Sequence, residues 1–151
     1  MGTRIIQPPA FQRPSGKIRL GTAMPNLVNA TPTLVLLDVI PAEYVADGIC
    51  NTATHRITPG VAGFYSIVGQ VNFSNVVAAK DYICHIYISA VVYSSYVHTS
   101  LVSMVTAICS LPNQYLTAAN YVELWAQSNS GDNTVDLLGD NATFLAVQRV
   151  R

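Results

Sequence analysis

Three histidines, three cysteines and a group of acidic turn residues are the side chains here that can do chemistry, and their spacing decides which chemistry is open to them. Cys50, Cys84 and Cys109 are odd in number and none forms a CxxC pair, which argues against both a disulfide framework and a zinc knuckle. They are expected to be small apolar fillers on strands. His55, His85 and His98 are each flanked by β-forming residues, with no acid or cysteine at ligand spacing. His85 does follow Cys84, but adjacent strand residues point to opposite faces. Asp132, Asp136 and Asp140, with Asn133 and Asn141, gather the oxygens that a hard cation such as calcium takes. No run among them supplies six ligands, so turn formation is expected and no metal. The chain has no Gly-x-Ser-x-Gly elbow, no phosphate loop and no close carboxylate pair. It reads as a non-enzyme without a cofactor.

The elements that carry these residues are strands. The stretch 56–73 (RITPGVAGFYSIVGQVNF) turns at Pro59-Gly60 and then runs aromatic and β-branched from Phe64 to Phe73, long enough for a central strand. Tyr65, Ile67, Gly69, Val71 and Phe73 form one alternate set and face a core. The other set, Phe64, Ser66, Val68, Gln70 and Asn72, is half polar and fits a surface covered by something other than the same chain. Further strands are expected at 33–39, ended by Pro41, and at 52–58, 81–89 and 90–99, the last with a break near Ser94-Ser95. Others follow at 101–111, closed by Pro112-Asn113, and at 120–127, 135–138 and 143–150. Short strands separated by turn signals, such as 128–133 (SNSGDN), with no helical period, predict an all-β sandwich or barrel.

At 151 residues the chain makes one domain of ordinary size. Only 11% of it is charged and 50% is hydrophobic, against a usual charged share of about 25%. Burial between subunits is the simplest remedy. No apolar run reaches the ~18 residues of a membrane span, and no charged-then-apolar leader is present, so no membrane partner is expected and the chain is expected to start in the cytoplasm. The formal net charge of zero hides an asymmetry: residues 1–30 hold Arg4, Arg13, Lys17 and Arg19 and no acid, while 31–151 hold four bases against eight acids. The first thirty residues also hold Pro8, Pro9, Pro14 and Pro25, which break helices and sheets, yet Ile5, Ile6, Phe11, Ile18 and Leu20 are too apolar for a solvated linker. They read as an extended arm that is ordered on a partner, followed by a compact domain at 31–151. Four cations without interleaved aromatics hold a phosphate backbone poorly, so the arm's partner is expected to be a protein surface and not nucleic acid.

The dense stretch Ile57-(five residues)-Gly63-Phe64-Tyr65-Ser66-Ile67, followed by Gly69-Gln70-Val71-Asn72-Phe73, resembles the signature of the TNF and C1q superfamily of trimeric jelly rolls. The later strand order agrees. The chain departs from the family pattern at its last strand, where Thr143 is not followed by the usual glycine, and at Cys50, where the C1q pattern has an aromatic. The resemblance implies a single jelly-roll β-sandwich that forms a homotrimer by packing one sheet's outer face around a threefold axis. Ser66, Val68, Gln70, Met104, Leu145 and Val147 are then expected at the trimer interface, and Tyr65, Ile67, Val71, Val122, Leu124 and Phe144 in the core.

With a basic Pro-rich arm on such a trimer, the chain resembles the small decoration proteins of tailed phages. That implies a structural virion protein, made in the host cytoplasm and placed on the capsid exterior. Its partners would be itself, the major capsid protein and neighbouring trimers. Arg4, Ile5, Ile6, Pro8, Pro9, Phe11, Arg13, Lys17 and Arg19 are the expected contacts of the arm with the shell. The alternative is a head-fibre or tail-fibre tip that recognises a host glycan or protein through exposed loops such as 93–100 and 128–133.

Overall fold

The computed structural model describes residues 14–101, 103–139 and 141–150. Among the described residues, eleven strands run in chain order. They are β1 (Ser15–Arg19), β2 (Thr33–Leu34), β3 (Cys50–Asn51), β4 (Arg56–Ile57), β5 (Gly63–Ser74), β6 (Asp81–Ile88), β7 (Val91–Thr99), β8 (Met104–Leu116), β9 (Val122–Ser128), β10 (Asp136–Leu137) and β11 (Phe144–Arg149). A 3₁₀ turn, Ala42–Asp47, separates β2 from β3.

They form two sheets with antiparallel pairing throughout. In the first, β5 is central: β8 pairs along one side of it, β11 and the short β10 along the other, and β1 adds outside β11. In the second, β9 is central, with β6 and then β7 on one side and β4 and β2 on the other; β3 pairs β4. Every second residue of β5, from Tyr65 to Phe73, is buried, as the alternation in the sequence requires. Tyr82, Cys84 and Ile86 of β6 and Val122, Leu124 and Ala126 of β9 face them from the other sheet. Burying one such large side chain contributes roughly 1.5–3 kcal/mol. Gly69 has no side chain because none fits: an added Cβ would lie 2.6 Å from Leu124 Cδ1.

The jelly-roll class holds, and several details of the sequence reading change. The compact body begins before residue 31. β1 pairs β11 in full register, Ile18, Leu20 and Leu27 are buried, and Met24 exchanges backbone bonds with Leu137. Lys17 and Arg19, expected on the arm, are strand residues, and the Lys17 ammonium lies 4.4 Å over the Phe144 ring. The prolines misled because Pro14 and Pro25 flank this paired segment and do not interrupt it. Arg4, Ile5, Ile6, Pro8, Pro9, Phe11 and Arg13 lie outside the described residues.

The last strand is one position out of phase with the expectation. Phe144 and Ala146 pair with Gln70 and Val68, whose side chains point outward, whereas Leu145 and Val147 pair with Gly69 and Ile67, which point inward. Leu145 and Val147 are therefore core residues, and Phe144 is on the outer face. Pairing parity fixes the face whatever the size of the side chain.

The expected strand at 52–58 is a hairpin, β3 and β4, turning at 52–55. Residues 101–111 do not end at Pro112: β8 continues to Leu116, because Tyr65 pairs Gln114 while Ile67 pairs Leu111, and Pro112-Asn113 bulge out between them. A proline is tolerated there because β8 has a partner on one side only. No break occurs at Ser94-Ser95. The irregularity lies between Ile86 and Tyr87 on the partner strand, where Tyr93 is the extra residue, so 93–99 is strand and not loop.

Candidate functional site

β7 and β8 lie along the same margin of the sandwich, each pairing with one strand only. On β7 the apolar residues fall in both alternate sets, and Val91, Val92, Tyr93, Tyr96 and Val97 are all 45–58% exposed. A strand covered on either face would not leave both parities in water. On β8, Met104, Ile108 and Tyr115 project outward from the first sheet and are about half exposed, while Val105, Ala107 and Cys109 between them are core. Tyr115 meets Phe64 of β5 edge to face, with ring centroids 5.3 Å apart.

The outer face continues from β8 across β5 to β11 and β1. Ser66, Val68 and Gln70 lie on it with Phe144 and Ala146. Gln70 is held by its amide donating to Ala142 O at 2.8 Å. Between β1, β5 and β11 and the 3₁₀ turn is a cavity of about 250 Å³, lined by Ser15, Tyr44, Ser66, Val68, Ala146 and Gln148. Of the expected interface residues, Ser66, Val68, Gln70 and Met104 thus share one outward face. Leu145 and Val147 do not. Ile108 and Tyr115 belong to the same row and were missed, although the alternation 104/106/108 that contains Met104 points to Ile108. The β7 residues Tyr93, Tyr96 and Val97 were expected on an exposed loop at 93–100; they are exposed, but on a strand.

Among the described residues, no three His, Cys, Asp or Glu side chains come together as a metal site. Protein donors occupy one oxygen of Asp132 and both of Asp136: Asp132 Oδ1 accepts from Thr134 N and Oγ1 and from Ser130 Oγ, Asp136 Oδ1 accepts from Asn26 N and Asp136 Oδ2 from Asn75 Nδ2. The Thr134 bonds lower the Asp132 pKa most. Asp140 lies outside the described residues. Cys84 and Cys109 are buried, and the Cys109 thiol donates to Cys84 O. Proximity to Cys109 and burial push the Cys84 thiol up, so it stays protonated and unreactive.

His85 is the buried histidine, 8% exposed, with Nδ1 2.7 Å from Ser95 Oγ on the facing strand. Burial lowers its pKa, against a smaller raising effect of the Gln127 side chain. A serine beside a neutral imidazole is the first half of a nucleophile and base pair, but among the described residues no carboxylate is hydrogen-bonded to this ring to complete a triad.

No protein-family model matches the chain, and no curated protein does. Solved structures do. The Eiger TNF of S. frugiperda superposes with a TM-score of 0.69 at 10% identity, covering 92% of this chain and 93% of that one. The globular domain of zebrafish complement 1qA protein superposes with a TM-score of 0.66 at 12% identity, covering 93% and 98%. The fold is a TNF/C1q-like jelly roll, as the motif around Gly63 implies.

Proposed function

We propose that the protein is a non-catalytic structural module that closes into a homotrimer through the β7/β8 margin and the outer face of the first sheet, and that the trimer decorates a phage capsid. The observation that carries the trimer is the apolar margin itself. Eight large apolar side chains, Val91, Val92, Tyr93, Tyr96, Val97, Met104, Ile108 and Tyr115, stand about half exposed along two neighbouring strands. A chain with 11% charged residues has little polar cover to place over them. Contiguous exposed apolar surface of this kind marks an interface.

Attachment to the shell falls to residues 1–13. β1 starts at the rim of the sandwich, where Arg149 N donates to Pro14 O, and thirteen residues span up to about 45 Å when extended. Three such segments on one rigid trimer bind multivalently, which raises weak single contacts by about 10²–10⁴.

Deletion of residues 2–13 tests both parts. Sedimentation is expected to show an intact trimer, because β1 and everything after it remain, while co-sedimentation with undecorated shells is lost. A lone subunit at micromolar concentration would refute the trimer. Undiminished shell binding would refute the role of the leader.

A further inference from the structure

The outer face of the second sheet carries an arrangement that neither trimer closure nor shell attachment uses. Trp125 of β9 stacks on Tyr87 of β6 with centroids 4.8 Å apart and planes at 30°, and His85 meets Tyr87 edge-on at 6.2 Å. Glu123 and Gln127 flank Trp125 at alternate positions of the same strand, hence on the same face, each about 7 Å along from it. Glu123 Oε2 accepts from Trp125 Nε1 at 3.2 Å, and Gln127 donates to Asn129 Oδ1 at 2.9 Å. Arg56 is paired with Glu123 in register and lies 4.4 Å over the Tyr121 ring. Beneath them the His85 ring is more than nine-tenths buried, with Nδ1 engaged by Ser95 and Nε2 without a hydrogen-bond partner among the described residues.

We infer that this face is a carbohydrate-binding site, taking a neutral hexopyranose of a surface glycan against the Tyr87–Trp125 pair. A pyranose ring presents C–H groups on one face and hydroxyls around its rim. It therefore matches aromatic side chains with planar donors and acceptors fixed beside them, as amphipathic rings at recognition surfaces do. Glu123, Gln127 and Arg56 supply both roles: a carboxylate accepts, a guanidinium donates, and an amide does either. His85 Nε2 is buried beneath them, so the ring supports the aromatic pair from below through its edge contact with Tyr87 and the ligand contacts fall to the more exposed side chains. Arg56 and Glu123 stand opposite each other and their formal charges cancel, so the site offers no net charge that would favour an acidic or an amino sugar over a neutral one. The site is centred on β9 and β6, with β7 of the same sheet between it and the proposed threefold contact, and none of its ligand-contacting side chains belongs to that contact.

Trp125 is the chain's single tryptophan, so its emission reports on this site alone. The full-length protein is titrated with methyl glycosides of neutral hexoses and then applied to a glycan array holding neutral, sialylated and sulfated members. A saturable change in emission with neutral sugars, and array binding confined to neutral glycans, are expected. Glu123→Gln keeps the shape and the Trp125 bond and is expected to weaken array binding by about tenfold. Trp125→Phe is expected to abolish it, and the melting temperature and sedimentation of Glu123→Gln to stay those of the parent. No neutral member bound, binding to charged glycans only, or undiminished array binding by Glu123→Gln and Trp125→Phe would each overturn the proposal.

Discussion

His85 shows how one pairing position sets the chemistry of a side chain. Its register with Ser95 on one side and Trp125 on the other brings the ring under its neighbours, and burial then favours the neutral imidazole. The sign follows from linkage. A histidine whose folded pKa lies below its unfolded value of about 6.5 leaves the folded chain binding fewer protons than the unfolded chain as pH falls. Its contribution is intact above about pH 6.5 and is lost progressively below it. His85→Gln, which keeps a polar partner for Ser95, is expected to flatten this part of the profile, so that its drop in melting temperature between about pH 7.5 and pH 5.5 is smaller than the parent's. An unchanged drop would show that the buried ring is not what titrates. At this scale the sequence was legible where alternation is clean, as at Tyr65, Ile67 and Val71. It was not legible at Phe144 and Leu145, because the Thr143–Val147 run is apolar at both parities and only its register against β5 separates inside from outside.

Strands were the most legible level, and the long ones at 64–73, 81–89 and 120–127 stand within a residue or two of their expected ends. What escaped is what pairing decides. β8 runs through Pro112 because a bulge at a one-sided strand absorbs the missing donor, and a turn signal read locally has no knowledge of that partner. Two glycines measure how tightly elements meet. Gly69 puts bare backbone of β5 against Leu124 of the facing sheet, and a Cβ there would be 2.6 Å from a side-chain methyl. Gly139 instead meets backbone: its Cβ would be 2.6 Å from Gly21 O and 3.0 Å from Gly21 C, where the first segment is held against the residues after β10. A packed methyl gives way more readily than a paired main chain. Gly69→Ala is expected to cost about 1–3 kcal/mol in chemical denaturation, the range of overpacked cores, and Gly139→Ala more than Gly69→Ala. Either variant as stable as the parent would show slack at that contact.

For the whole molecule, the charge-poor composition pointed to subunit burial before any strand was placed, and the apolar margin is where the proposed trimer puts that burial. The boundary of the leader was misplaced because composition averages over a window, whereas Ile18, Leu20 and Leu27 enter the core one by one. The β7 part of the margin, on the second sheet, and the outer face of the first sheet are different surfaces of one subunit, so a contact between them is head to tail and closes into a ring without either surface meeting its own copy. This has a consequence that a self-complementary contact does not share. Tyr96→Asp breaks the margin and leaves the face; Val68→Asp breaks the face and leaves the margin. Each variant alone is expected to sediment as a monomer. Mixed in equal amounts, the intact margin of the Val68→Asp chain fits the intact face of the Tyr96→Asp chain. The other two surfaces of that pair are both damaged, so growth stops at a heterodimer. Analytical ultracentrifugation with one variant fluorescently labelled distinguishes the outcomes. A mixed dimer without trimer is the signature of a directional ring. Restored trimers would show that two damaged contacts in three are tolerated, and a mixture that stays monomeric would mean that margin and face do not meet.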